Sequence, residues 1–270
     1  MAAISFNTFT TGASSSANFT SSGKSVQRAF AQLSSGNRIT SASIDAAGLA
    51  IASNLATNIA TISQGSRNAN DVASALSIAD GALEQVSNIT SRLQEIAVTS
   101  ANGVYSDEQR SALQNEYDAL TAEIQRIGDT TTYNGRKLFD GSSVSAELGG
   151  SSISVGGINL SELASSLASQ DVSSAAGAES AVAALQSFSD NLTTQRGASV
   201  DAGLSRLGSV QDTLSNARLV NQQAFSQISD VDVGAAVSDL TRAKVLMQYQ
   251  ASSASSMNSL QASLIKQLTA

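Results

Sequence analysis

The sequence predicts a mainly α-helical fold: long antiparallel helices forming a coiled-coil or bundle rod, with a small β-hairpin region at its outer tip. Three observations carry that expectation. Small and apolar residues recur in alternating steps of three and four through most of the chain, the spacing that gathers them on one helix face. Proline, which removes a donor and clashes with the preceding turn of a helix, is absent from all 270 residues. Glycine-containing turn pairs gather between about 130 and 177, beginning with "YNGRKLFDG" at 133–141, where Asn, Asp and Gly tolerate positive φ.

Taken in order, the first 40 residues read as an Ala/Ser-rich, weakly amphipathic helix, with Val26, Phe30 and Leu33 as its apolar face. A second helix is expected from about 45 to 103. Leu55, Ile59 and Ile62 lead into a seam of Ala69, Val72, Leu76, Ala79, Leu83, Val86, Thr90, Leu93 and Ala97, with Thr90 as its polar interruption. At 1.5 Å per residue such a helix is about 85–90 Å long, so it needs neighbours along its whole length. Asn102-Gly103 is a stop. Ser106 with Gln109 three residues on forms a capping box, and Asp107 and Glu108 suit the positive end of the next helix dipole. That helix carries Leu113, Tyr117, Leu120, Ile124 and Ile127, with Gly128 as the expected residue just past its end.

Residues 130–177 read as hairpins and Ser-rich turns, with "SSISV" at 151–155 as a strand. Helical spacing resumes through Leu185, Phe188 and Leu192, and then through Leu207, Val210, Leu214, Ala217, Asn221, Ala224, Ile228 and Val231. The last segment runs Val233, Val237, Leu240, Ala243, Met247, Ala251, Ala254, Met257, Leu260, Leu264 and Leu268, on average 3.5 residues apart, the coiled-coil period. Neither terminal helix has an apolar face wide enough to stand alone. They need each other, or copies of themselves from other subunits.

Composition excludes most chemistry. The protein has no His and no Cys, so the common metal sites, the Ser-His-Asp triad and thiol nucleophiles lack their members. The carboxylate pairs Asp107/Glu108 and Glu116/Asp118 sit on helices whose other face is apolar, which suits a solvated face or a subunit contact. The segment "GGSSISVGG" at 149–157 lacks the Lys of a phosphate loop. With net charge −7 and 15 scattered basic residues, nucleic acid is not an expected partner. No run is long and apolar enough for membrane insertion, and the N-terminal segment, with no Lys or Arg before Lys24, is not a cleavable signal peptide. Neither an enzyme, a cofactor nor a metal is expected.

Six segments in order resemble bacterial flagellin: "LSSGNRITSASIDAAGLAIA" (33–52), "RNANDVASALSIADGALEQV" (67–86), "LQEIAVTSANG" (93–103), "YNGRKLFDG" (133–141), "LGSVQDTL" (207–214) and "ISDVDVGAAVSDLTRAKVL" (228–246). The sequence departs from the family's usual pattern at Thr40, Ser43 and Ile44. The resemblance implies a filament subunit that polymerises with itself, with the hook–filament junction protein and a flagellin-like surface ligand-binding protein as alternatives. Residues 1–40 with 231–270 would form an inner core coiled-coil domain, and 41–230 a rod domain, with the hairpin and Ser/Gly-rich tip at about 130–177. Val26, Phe30, Leu33, Val237, Leu240, Met247, Met257, Leu260, Leu264 and Leu268 would assemble the filament core. Arg92, Ile96 and Glu116 would lie on the rod surface as subunit contacts, a surface that in some members is read by a vertebrate toll-like receptor. Gln94 stands where that patch usually carries Arg, and subunit contact is the reading preferred. The partners implied are the flagellar cap and hook-associated proteins, the flagellar export apparatus and an export chaperone, and the location is the extracellular filament.

Overall fold

The computed structural model describes residues 2–269, with side-chain surroundings for 16–260, 262, 263, 266 and 267. The elements follow in the order α1 (Ala2–Ser35), α2 (Ala46–Ala101), α3 (Asp107–Thr130), β1 (Thr132–Tyr133), β2 (Arg136–Lys137), β3 (Val144–Glu147), β4 (Ser152–Val155), α4 (Leu160–Ala168), α5 (Ala175–Gln195), a π-helical turn (Arg196–Asp201), α6 (Ala202–Ser229) and α7 (Val233–Thr269). The fold is mainly helical, with two small antiparallel hairpins. It forms two compact units, Met1–Thr57 with Val220–Ala270, and Asn58–Leu219.

The second unit holds the extended hydrophobic core. Every seam position from Ala69 to Ala97 is buried, Thr90 included, because its hydroxyl donates to Val86 O at 2.7 Å and so brings no unmet donor into the core. α3 turns back along α2: Arg92 pairs with Glu116 and Arg110 reaches Ser100 O, so partners converge toward residue 104 as an antiparallel pair requires. The capping box forms as expected, Ser106 Oγ accepting from Gln109 N (3.4 Å) and Gln109 Oε1 from Ser106 N (2.9 Å). The end of α3 differs from expectation. Gly128 is inside the helix, where a Cβ would lie 3.5 Å from Leu160, so its smallness serves close packing. Thr131 closes the helix, its N–H and hydroxyl both donating to Ile127 O.

Asn134 (φ 50°) and Gly135 (φ 77°) make the two-residue turn between β1 and β2, in register Thr132↔Lys137 and Tyr133↔Arg136. The second hairpin pairs Val144↔Val155 through Glu147↔Ser152. It packs on a helix. Its Gly149 turn lies on α2, where a Cβ on Gly65 would be 2.6 Å from the Leu148 carbonyl carbon and one on Gly149 would be 3.2 Å from Thr61 O. The Asn68 amide donates to Glu147 O at 2.8 Å. The hairpin thus reaches the start of the second unit's share of α2, and the opposite end of that unit is the α2–α3 turn. The reason is apolar area: Ala146, Leu148, Ile153 and Val155 are buried only by lying on helices, since a two-stranded hairpin is not stable by itself.

Helix α4 is a second difference, because 130–177 was expected to hold hairpins and turns. Asn159 Oδ1 caps it by accepting from Glu162 N (3.1 Å), and Leu160, Ala164 and Leu167 are fully buried. The π turn joins α5 to α6 and places Arg196 Nε 2.7 Å from Asp80 Oδ1.

In the first unit, the loops on either side of the terminal helices are knitted together. Arg38 N donates to Ser229 O (2.6 Å), Val231 N to Gly36 O (3.0 Å), and the Arg38 guanidinium to Ile228 O (3.1 and 2.8 Å). Asp45 caps α2 through Gly48 N (2.7 Å), and Asp232 caps α7 through Ala235 N (3.0 Å). The first unit divides from the second within α2 and α6.

Candidate assembly surface

α1 and α7 run antiparallel and meet along narrow stripes of small residues. Ala29, Ala236 and Ala243 are buried at the contact, and Val26, Leu33, Leu240, Met247 and Met257 are half-buried beside them. Alanines allow two helix backbones to approach closely, at the cost of little apolar area buried per turn.

Much of the large apolar surface of this pair points elsewhere. Phe30 is 65% exposed, Val245 60%, Tyr249 72% and Leu260 61%, and Val233, Val237 and Leu246 are also open. Three of the expected core-assembly residues, Phe30, Val237 and Leu260, therefore leave the contact between the two helices. On α1 the facing positions step through Val26, Ala29 and Leu33, and on α7 through Ala236, Leu240, Ala243 and Met247. Ala236, which the sequence pattern passed over for Val237, takes the inner place. Leu264 and Leu268 lie outside the residues whose side chains are described.

The expected surface trio divides. Arg92 and Glu116 are exposed and paired, with Arg92 Nη2 2.8 Å from Glu116 Oε1 and Nη1 2.9 Å from Glu95 Oε2. The hydrogen bond to Glu116, then that to Glu95, raises the Arg92 pKa above its ordinary value. Ile96 does not belong with them: it is 2% exposed, inside the core between seam residues Leu93 and Ala97. At position 96 the helical period turns the side chain inward, so it offers nothing to a neighbouring subunit.

Sequence reasoning missed a polar lock at the α2–α3 turn. Buried Arg110 donates to Ser100 O (2.9 Å), to Asn102 O (3.3 Å) and to Asp107 (3.0 Å). The Ser100 hydroxyl donates to Val172 O, and Gln114 Oε1 accepts from Val172 N at 2.5 Å. Nearby, burial pushes the Tyr117 phenol up to about 12. These groups are each engaged in holding helices together. Among the described residues no cluster of acidic side chains is arranged to hold a metal.

The class so defined is a mainly helical protein whose paired terminal helices leave large apolar side chains open. The profile of the bacterial flagellin N-terminal helical region matches residues 6–144. A flagellin of Halalkalibacterium halodurans is 35% identical over 236 residues, covering 82% of this chain and 84% of its own. A flagellin of Listeria innocua is 31% identical over 249 residues, covering 84% and 86%. The fold is shared with a putative flagellar hook-associated protein of Vibrio parahaemolyticus, at a TM-score of 0.59 and 16% identity, over 69% of this chain and 100% of that one. The chain belongs to the bacterial flagellin family. It is therefore a structural subunit of the flagellar filament and not an enzyme.

Proposed function

We propose that this subunit polymerises through α1 and α7, each copy covering the apolar faces that its neighbours leave open, and that the filament so built serves swimming motility. The observation that carries this reading is the outward set Phe30, Val245, Tyr249 and Leu260. An isolated subunit gains nothing from such side chains, whereas repeated heterologous contacts that do not close generate an open helical polymer. Val237 and Leu260 belong to this outward set, and Val26, Leu33, Leu240, Met247 and Met257 hold α1 to α7. On the second unit, Arg92 and Glu116 supply a rigid charged edge for a lateral subunit contact. The subunit is secreted through the flagellar export apparatus with an export chaperone, and meets the cap and hook-associated proteins at the ends of the polymer.

Truncation tests the reading. A variant ending at Gln248 loses Tyr249, Met257 and Leu260 but keeps the whole second unit. Seeded growth followed by light scattering, with circular dichroism alongside, should show no elongation and a retained helical core. Normal elongation of the truncated variant refutes the proposal.

A further inference from the structure

The sequence contains two Asn-Gly pairs, Asn102-Gly103 and Asn134-Gly135, and the structure restrains them very differently. In such a pair the glycine amide nitrogen can attack the carbonyl carbon of the asparagine side chain. A new bond between that nitrogen and that carbon closes a succinimide. The bond from the same carbon to the asparagine amide nitrogen breaks, and ammonia leaves carrying the proton from the glycine amide. Water then opens the ring at either carbonyl, giving aspartate or isoaspartate. The attack requires rotation of the asparagine backbone to bring the next nitrogen over the side chain, so the stiffness of the turn governs the rate.

Asn134 is held. It sits at φ 50° and Gly135 at φ 77°, in a turn closed by the pairs Thr132↔Lys137 and Tyr133↔Arg136. The strand after the turn is tied down by Lys137 to Asp129 (2.8 Å) and by Arg136 to Ser143 O (2.8 Å). Asn102 lies outside any hairpin, in an exposed turn where its carbonyl accepts from Tyr105 N and from Arg110 Nη2, both at 3.3 Å. It follows the last residue of α2, and its own N–H closes the helix ladder on Thr99 O at 3.2 Å. Its Oδ1 accepts from Val104 N at 3.1 Å, folding the side chain over the residues that follow. Gly103 has open space around it, and Val104 is 87% exposed, so water reaches the turn freely.

We propose that Asn102 is a site of spontaneous deamidation, converting to aspartate and isoaspartate with release of ammonia, while the hairpin protects Asn134. The change has a structural address. Arg110 Nη2 holds the Asn102 carbonyl at 3.3 Å, and isoaspartate inserts a methylene into the backbone at that residue. Aspartate instead adds a carboxylate at the residue whose carbonyl that guanidinium holds. The inference rests on local chemistry and is independent of how subunits assemble.

Trypsin separates the two sites, because residues 93–110 and 127–136 each contain one asparagine. The full-length soluble protein is incubated in mildly alkaline buffer, with and without urea, digested, and the two peptides are followed by mass spectrometry. In urea both convert at similar rates. In the native protein Asn102 should convert near its rate in urea, and Asn134 at least about tenfold below its own, equivalent to about 1.4 kcal/mol for opening the hairpin. Gly103→Ala places a methyl group in open space at an ordinary φ, so the variant folds, and it should suppress conversion at Asn102. A native rate at Asn102 no higher than at Asn134, or a rate that survives Gly103→Ala, overturns the proposal.

Discussion

Val245→Asp separates folding from assembly. In the isolated subunit Val245 is 60% exposed on α7, so the new carboxylate stays in water. A surface substitution of this kind changes stability by about 0.5 kcal/mol or less. In the filament the account puts Val245 against a neighbour. Full burial of a valine contributes about 1.5–3 kcal/mol, and with more than half of the side chain still open, about 1–2 kcal/mol of that remains to be gained on assembly. The aspartate forfeits this gain and adds a desolvation cost of several kcal/mol per ion. Together these come to about 4 kcal/mol or more per subunit, and each 1.4 kcal/mol is a factor of about ten in an equilibrium constant. The critical concentration should therefore rise by about three orders of magnitude while the thermal melt of the monomer is nearly unchanged. Sedimentation of polymer at graded subunit concentrations measures the first, and circular dichroism the second. An unchanged critical concentration would refute the reasoning.

Other predictions concern the units separately. Leu93→Ala, at a fully buried seam position, should destabilise the second unit by about 2–5 kcal/mol, measured by urea unfolding. Gly65→Ala should also destabilise it, because the added Cβ would meet Leu148 backbone atoms at 2.6 to 2.9 Å; a thermal melt equal to wild type would contradict the hairpin placement. Tyr117 has a native pKa raised by burial from 10.0 to about 12, so its contribution to stability is complete below pH 10. The unfolded protein ionises first, and stability should fall as pH rises toward 12, visible as phenolate absorbance appearing late and together with unfolding. Finally, limited trypsin digestion of the monomer should cut the first unit, with its Ala-rich and thinly buried helix contact, before residues 58–219. In the polymer both should resist, and equal protection of the ends in both states would contradict that.

The long helices of the second unit were legible because their apolar residues keep one period, with Thr90 as a polar step that stays in phase. The seam from Ala69 to Ala97 is buried at every step, and the Ser106 capping box was readable from two residue types at the right spacing. Helix α4 was hidden by the Ser- and Gly-rich composition around it, although Asn159 followed by Glu162, with Leu160, Ala164 and Leu167 in helical steps, was the available signal. The hairpin's position on α2 could not be read from its turns, since turn chemistry fixes local geometry and says nothing about which helix covers the apolar side. The assembly face was legible only in part. On α7, Val237 and Ala236 both satisfy a coiled-coil pattern, and the close approach of α1 selects the smaller residue for the inside. Ile96 failed for the complementary reason: the resemblance placed it on a surface, while the helical phase set by Leu93 and Ala97 turns it into the core. Arg110 carried little signal, because Asp107 three residues earlier reads as an ordinary helix-surface pair and its other partners are backbone carbonyls at Ser100 and Asn102.

The central claim is that the open faces of α1 and α7 are closed by other copies of the same subunit. A helical reconstruction of the filament by electron cryomicroscopy, at a resolution that shows side chains, tests it most directly. Phe30, Val245, Tyr249 and Leu260 should then be seated against neighbouring subunits. A filament in which these four residues face solvent, with its subunits joined through the second unit alone, would contradict it.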